Sequence, residues 1–252
     1  MRLVLMTALG IGGATLLGSV LGFLFKDISH RFSDLVLAFA AGVMLCAAVV
    51  GLVLPSLEYA GAPFALPMAV AGIFCGAFCL NLLDRAVPHL HRLAGVEQEA
   101  HPDKSAQLNK VLLFVLAIGI HNLPEGIAAG VGFGTGNAAE ALTIAAGIAL
   151  QNIPEGMVII APMLAAGMSP GRTFWAALAT GLVEVAGTLL GFFAVSLSST
   201  ILPFALAFAG GTMLYVISDE MIPETHHGDA RGVTYFLLAG FSLMLAMSYY
   251  LE

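Results

Sequence analysis

Apolar runs of about twenty residues recur along the whole chain, and they limit its fold more than any other feature. A bilayer core is roughly 30 Å thick, a span that about 20 helical residues cross. Within it every backbone N–H and C=O must be paired inside the protein, so only helices and closed barrels qualify. Barrel strands alternate apolar and polar residues in segments of about ten, a pattern not seen here. With 59% hydrophobic and 10% charged residues, against about 25% charged in a soluble domain, the chain lacks the polar surface to face water throughout. The sequence therefore predicts an all-α fold, a polytopic membrane bundle of eight transmembrane helices. The spans lie near 3–25, 33–55, 63–87, 109–132, 139–164, 173–197, 201–223 and 232–251, in a single domain covering 1–252. The first run exceeds the roughly 7–15 apolar residues of a signal peptide and is read as the first span.

The connections are short except for the polar stretch 88–108, which carries His89, His91 and His101. Lys26, Arg31, Arg85, Arg92, Lys104, Lys110, Arg172 and Arg231 all fall on one side of this topology, and Arg2 alone on the other. Basic loops stay in the cytoplasm, so the plasma membrane is crossed with both termini outside. No basic patch suggests nucleic acid. Cys46, Cys75 and Cys79 sit in apolar runs and read as small packing residues. Glycines four apart, as in Gly18/Gly22, Gly72/Gly76, Gly126/Gly130 and Gly187/Gly191, read as sites of close helix contact, because small residues let helix backbones approach in lipid.

Against this apolar background one polar motif occurs twice. HNLPEG covers His121–Gly126, and thirty positions later QNIPEG covers Gln151–Gly156. The two spans are consecutive and therefore antiparallel, which presents one motif from opposite directions, an inverted repeat of the kind that frames midplane sites in transporters. Residues four apart share a helix face, which places His121 over Glu125 and Gln151 over Glu155. Pro124 and Pro154 free the carbonyls of Ile120 and Leu150 and are expected to kink their helices. Glu184, in GLVEVAG, lies at similar depth. A carboxylate at the bilayer centre costs roughly 3 kcal/mol even on a lenient scale, and no Lys or Arg lies within these spans to offset it. Protonation or a divalent cation is left, and the imidazole and amides beside the glutamates favour the cation.

The residues suggest a first position at His121, Glu125, Gln151 and Glu155, and a second at Asn122, Asn152 and Glu184 with Glu125 or Glu155 bridging; the alternative for the asparagines is that they only hydrogen-bond between helices. Met44, at similar depth, offers a thioether, although a lone Met there also reads as core filler. With no cysteine and mixed N and O donors, the set suits passage rather than retention. At the cytoplasmic ends, Asp219, Glu220, Glu224 and His226 in SDEMIPETHHGD and Asp84, His89 and His91 in LDRAVPHLH suggest an exit path; helix capping is the plain alternative. Glu58, in LPSLEYAG, is the outer candidate. Two rival readings use the same carboxylates: a membrane-embedded metal-dependent hydrolase or oxidase, and a proton-coupled carrier of a small organic solute.

With HNLPEG, QNIPEG, GLVE, DRAVPHLH and DEMIPETH together, the chain resembles the ZIP (Zrt-/Irt-like) family of divalent metal transporters, most of all the prokaryotic type whose second motif begins with Gln. The resemblance implies a transporter rather than an enzyme, no resident cofactor, and a zinc-type cargo with cadmium, iron or manganese as further ions. It implies a two-metal site in which the first position takes Met44, His121, Glu125, Gln151 and Glu155. The second takes Asn122, Asn152 and Glu184 with a shared carboxylate, and alternating access imports the metal. Oligomeric state is left open, a homodimer being one form. Asn152 and Asp219 depart from relatives that carry Asp and His there.

Overall fold

The computed structural model describes residues 1–25, 29–59, 63–86, 104–165, 167–226 and 232–251, without the side chains of Asp84, Ala86, residues 104–117 and Ser199. Eight long helices are described: α1 (Arg2–Leu24), α2 (His30–Cys46, continuing to Tyr59), α3 (Ala65–Ala86), α4 (Lys104–Gly132), α5 (Ala138–Val158), α6 (Pro170–Leu197), α7 (Leu202–Val216, continuing to Glu224) and α8 (Val233–Leu251). Seven of these segments are long and apolar enough to cross a membrane by length and composition. The chain is a multi-pass membrane protein, and no strand occurs among the described residues.

Local chemistry sets the helix ends. Ser29 Oγ accepts from Phe32 N–H (3.2 Å), Asn137 Oδ1 from Ala139 N–H (3.0 Å) and Ser169 Oγ from Arg172 N–H (3.4 Å), each pairing a first-turn donor that would otherwise be orphaned. Pro170 follows Ser169 at the start of α6, where a missing N–H costs nothing. Gly136 (φ 77°) sits between α4 and α5 in the left-handed region that glycine enters without penalty.

The helices run through Pro124 and Pro154 without ending. The irregularities lie instead in α2 and α7, where π-helical segments, Ala47–Val53 and Ile217–Met221, precede Pro55 and Pro223. Such bulges are rare and concentrate at functional sites. The second bulge carries α7 as far as Glu224, one residue beyond the span expected to end at 223, so Asp219 and Glu220 lie within the helix. Likewise α4 begins at Lys104, inside the stretch expected as loop; residues 87–103 lie outside the described residues, and with them His89, His91 and His101.

Two groups of helices are visible in the packing. In one, α1 lies against α5 and α6, and α6 against α4; in the other, α2 lies against α8, and α3 against α7. Within each group glycines bring backbones together: a Cβ at Gly18 would strike the Ile153 carbonyl, at Gly22 that of Met157, at Gly126 that of Glu184, at Gly130 that of Thr188, and at Gly76 that of Phe208. The glycine spacing thus serves close contact, as the sequence predicts. Between the groups, α2 and α8 meet α5, and α4 meets α7. There the glycine contacts are with side chains, Gly51 with Ile144 and Gly147 with Met244. Backbone does not interlock across that seam at these points.

The arrangement also exposes a second inverted repeat. GGATLLGSVLGF (12–23) aligns with GLVEVAGTLLGF (181–192), and FAAGVML (39–45) with FAGGTML (208–214), at one constant offset. The contacts obey it. Gly12 and Gly181 abut each other, while Gly18 on Ile153 and Gly22 on Met157 correspond to Gly187 on Leu123 and Gly191 on Ile127. One pseudo-two-fold relation therefore exchanges α1 with α6, α2 with α7 and α4 with α5.

Candidate metal centre

Close packing of α6 on α4 positions the centre of the site. Because Gly126 lets the Glu184 backbone approach, the Glu184 side chain meets Asn122, one turn away on α4. Asn122 Nδ2 donates to Glu184 Oε1 (2.5 Å), and Asn152 Nδ2, from α5, donates to Oε2 (2.7 Å). A third donor is Thr15 Oγ1 of α1, 2.6 Å from Oε1. All four residues are buried. The motif spacing thus brings both asparagines onto one carboxylate, as hydrogen-bond donors between helices; Thr15 lies outside every motif used in the sequence reading.

At the first position Gln151 Nε2 donates to Glu125 Oε1 (2.6 Å). Among the described residues five buried side-chain oxygens have no hydrogen-bond partner: Thr143 Oγ1, Thr173 Oγ1 and, on the paired motifs, Glu125 Oε2, Gln151 Oε1 and Asn152 Oδ1. A buried acceptor left unmatched costs about 1–3 kcal/mol, and more when charged, yet three occur on the paired motifs. All three are acceptors, so what they lack is positive charge or a donor. Glu125, Glu155 and Glu184 lie within one another's electrostatic reach. Met44 is fully buried in the core that also holds Ala128, Ala129, Ile144 and Ile148.

His121 turns elsewhere. Its Nε2 donates to Glu220 Oε2 of α7 over 2.8 Å, and Glu155 feels the charge of both His121 and Glu220. Among the described residues, no three of His, Cys, Asp and Glu stand close enough to enclose an ion in this arrangement. In the same arrangement His121 is engaged by Glu220, and Glu184 by three neutral donors.

The proposed path residues separate. Glu220 joins the motif histidine, whereas Asp219 and Glu224 are exposed. His226 Nδ1 donates to the Ile222 carbonyl (2.8 Å), a contact that finishes the helix end. Asp84 lies in the last turns of α3, and its side chain, like His89 and His91, is outside the described residues. Glu58 is exposed at the end of α2; its neighbour Tyr59 donates to the Thr135 carbonyl (3.3 Å) and lies 3.5 Å from Glu140 Oε2, a contact across the seam that the sequence reading did not anticipate.

A family model described as ZIP Zinc transporter matches residues 90–248. Zinc transporter GufA of Myxococcus xanthus is 40% identical over 249 residues, covering 96% of each chain. Zinc transporter ZIPB of Bordetella bronchiseptica is 39% identical over 238 residues, 92% of this chain and 76% of the relative. Zinc transporter ZupT of Chlorobaculum parvum is 33% identical over 249 residues, 94% of this chain and 92% of the relative. Similarity of this extent, on a fold whose paired HNLPEG and QNIPEG helices meet at one buried carboxylate, shows that the chain belongs to the ZIP zinc transporter family.

Proposed function

We propose that the protein imports zinc and related divalent cations (cadmium, iron and manganese among them) across the plasma membrane through a two-ion site between α4, α5 and α6. The observation that carries this reading is the trio of buried unpartnered oxygens on Glu125, Gln151 and Asn152, in a stretch with no Lys or Arg between Lys110 and Arg172. A dication supplies the charge that these acceptors lack. The first position takes Met44, His121, Glu125, Gln151 and Glu155, and the second Asn122, Asn152 and Glu184 with a shared carboxylate. His121 joins once it leaves Glu220, so ion binding and the seam between the helix groups are linked. Ions reach the site past Glu58 and leave along Glu220, Asp219, Glu224 and His226 toward Asp84, His89 and His91.

Residues 1–252 act as one transporter unit. The one-sided distribution of Lys and Arg supports both termini outside. The side-chain character of the glycine contacts across the seam supports alternating access by movement of one helix group against the other. The mixed N and O donors suit zinc-type ions while leaving metal preference to availability. The unit is compatible with a homodimer.

The test is transport by the purified protein in liposomes loaded with a metal-sensitive dye. Wild type responds to external zinc or cadmium, while Glu155→Ala and His121→Ala do not. A silent wild type overturns the transport reading, and variants that respond as wild type overturn the site assignment.

A further inference from the structure

Thr15 belongs to no metal motif, yet it makes one of the shortest side-chain contacts at the centre. Its Oγ1 lies 2.6 Å from Glu184 Oε1, and the two residues are 3% and 0% exposed. Serine and threonine in a membrane helix ordinarily return their proton to a carbonyl of the preceding turn. Ser19 to Thr15, Thr180 to Ala177 and Thr188 to Glu184 all do so here. Thr15 departs from that habit and directs its hydroxyl across to another helix.

The repeat explains why a polar side chain stands there. Thr15 and Glu184 are 169 residues apart, the same offset that superposes Gly12 on Gly181, Gly18 on Gly187 and Gly22 on Gly191. They are therefore one position in two copies, facing each other beside the Gly12–Gly181 contact that marks the pseudo-axis. One copy supplies a carboxylate and the other a hydroxyl.

We propose that Thr15 is a positioning residue of the second ion position: it fixes the Glu184 carboxylate against both motif asparagines and ties α1 to the ion-carrying helices. The inference rests on the reading of the motif glutamates as ion ligands. An amide nitrogen only donates, so the Asn122 and Asn152 amides must turn their oxygens inward when a cation arrives. A hydroxyl need not move. Thr15 holds Glu184 with and without the ion, and so keeps the carboxylate in place while the asparagines exchange roles.

The experiment is cadmium binding to the full-length purified protein by equilibrium dialysis, alongside zinc uptake in liposomes, for Thr15→Val, Thr15→Ala, Thr15→Ser and Glu155→Ala. Wild type binds cadmium in two steps. Removing the hydroxyl in Thr15→Val or Thr15→Ala weakens the second step about tenfold, the scale of one hydrogen bond to a charged group. The first step stays within error, and Thr15→Ser behaves as wild type. The inference is overturned if wild type binds a single ion, if a folded Thr15→Val or Thr15→Ala binds as wild type, or if Thr15→Ser is as weak as Thr15→Ala. Glu155→Ala separates the two claims: if it leaves the first step intact, the ligand assignment itself is wrong, whatever Thr15 does.

Discussion

His121 and Glu220 are joined by a 2.8 Å contact between Nε2 and Oε2 that crosses from α4 of one helix group to α7 of the other. The motif histidine is thus held by a residue of the π-helical segment. An ion that took Nε2 of His121 as a ligand would have to break this link, and binding of that kind would couple the seam to the site. Because the pair is partly exposed, at 14% and 22%, its own strength is modest.

His121→Ala and Glu220→Ala are therefore expected to be non-additive. A double-mutant cycle on thermal stability in detergent should return a coupling of about 1 kcal/mol. Strict additivity would show that the two side chains do not engage in the metal-free protein.

The glycine contacts give a second expectation. Gly126 faces the Glu184 carbonyl with no room for a Cβ, whereas Gly13 has no heavy atom of another element within 4 Å. Gly126→Val should force α4 and α6 apart and cost about 1–3 kcal/mol. Gly13→Ala should stay within about 0.5 kcal/mol of wild type. Melting temperatures of the two variants decide it, and equal losses would refute the packing account.

Asn152→Asp exchanges a donor for a charge. Its Nδ2 now donates to Glu184 Oε2 over 2.7 Å, and an aspartate there sets two carboxylates against each other unless a cation lies between them. The metal-free protein should melt lower than wild type, and saturating cadmium should raise its melting temperature by more than in wild type, by linkage. A cadmium shift no larger than that of wild type would count against an ion at the second position.

Away from the site, Asn81 Nδ2 donates to the Tyr215 hydroxyl (2.8 Å) and ties α3 to α7. Tyr215→Phe should cost about 0.6 kcal/mol, the average of such bonds within membranes, with zinc uptake in liposomes unchanged. A loss of uptake out of proportion to stability would give that contact a part in the transport cycle.

Helix number, membrane spanning and the two antiparallel motifs were legible because each rests on local chemistry. Apolar runs must satisfy their own backbone in lipid, and HNLPEG and QNIPEG place their polar residues on one turn whatever surrounds them. The Gly18/Gly22 and Gly187/Gly191 spacings likewise announced close packing, though not their partners. The repeat of 12–23 in 181–192 was also present in the sequence. It is faint in residue identity, and the contacts of Gly12 with Gly181 bring it out.

The apolar runs, the buried carboxylates and the repeated motif were settled by the amino-acid order, since hydrophobicity and helical spacing act within a few residues. Which side chains meet was settled by the fold. Glu220 reaches His121 from a π-helical segment that carries α7 onward with an altered register, and Thr15 reaches Glu184 because two distant glycines let α1 and α6 touch. Pairings of that kind depend on how far apart backbones lie in space, a distance that no spacing along the chain encodes.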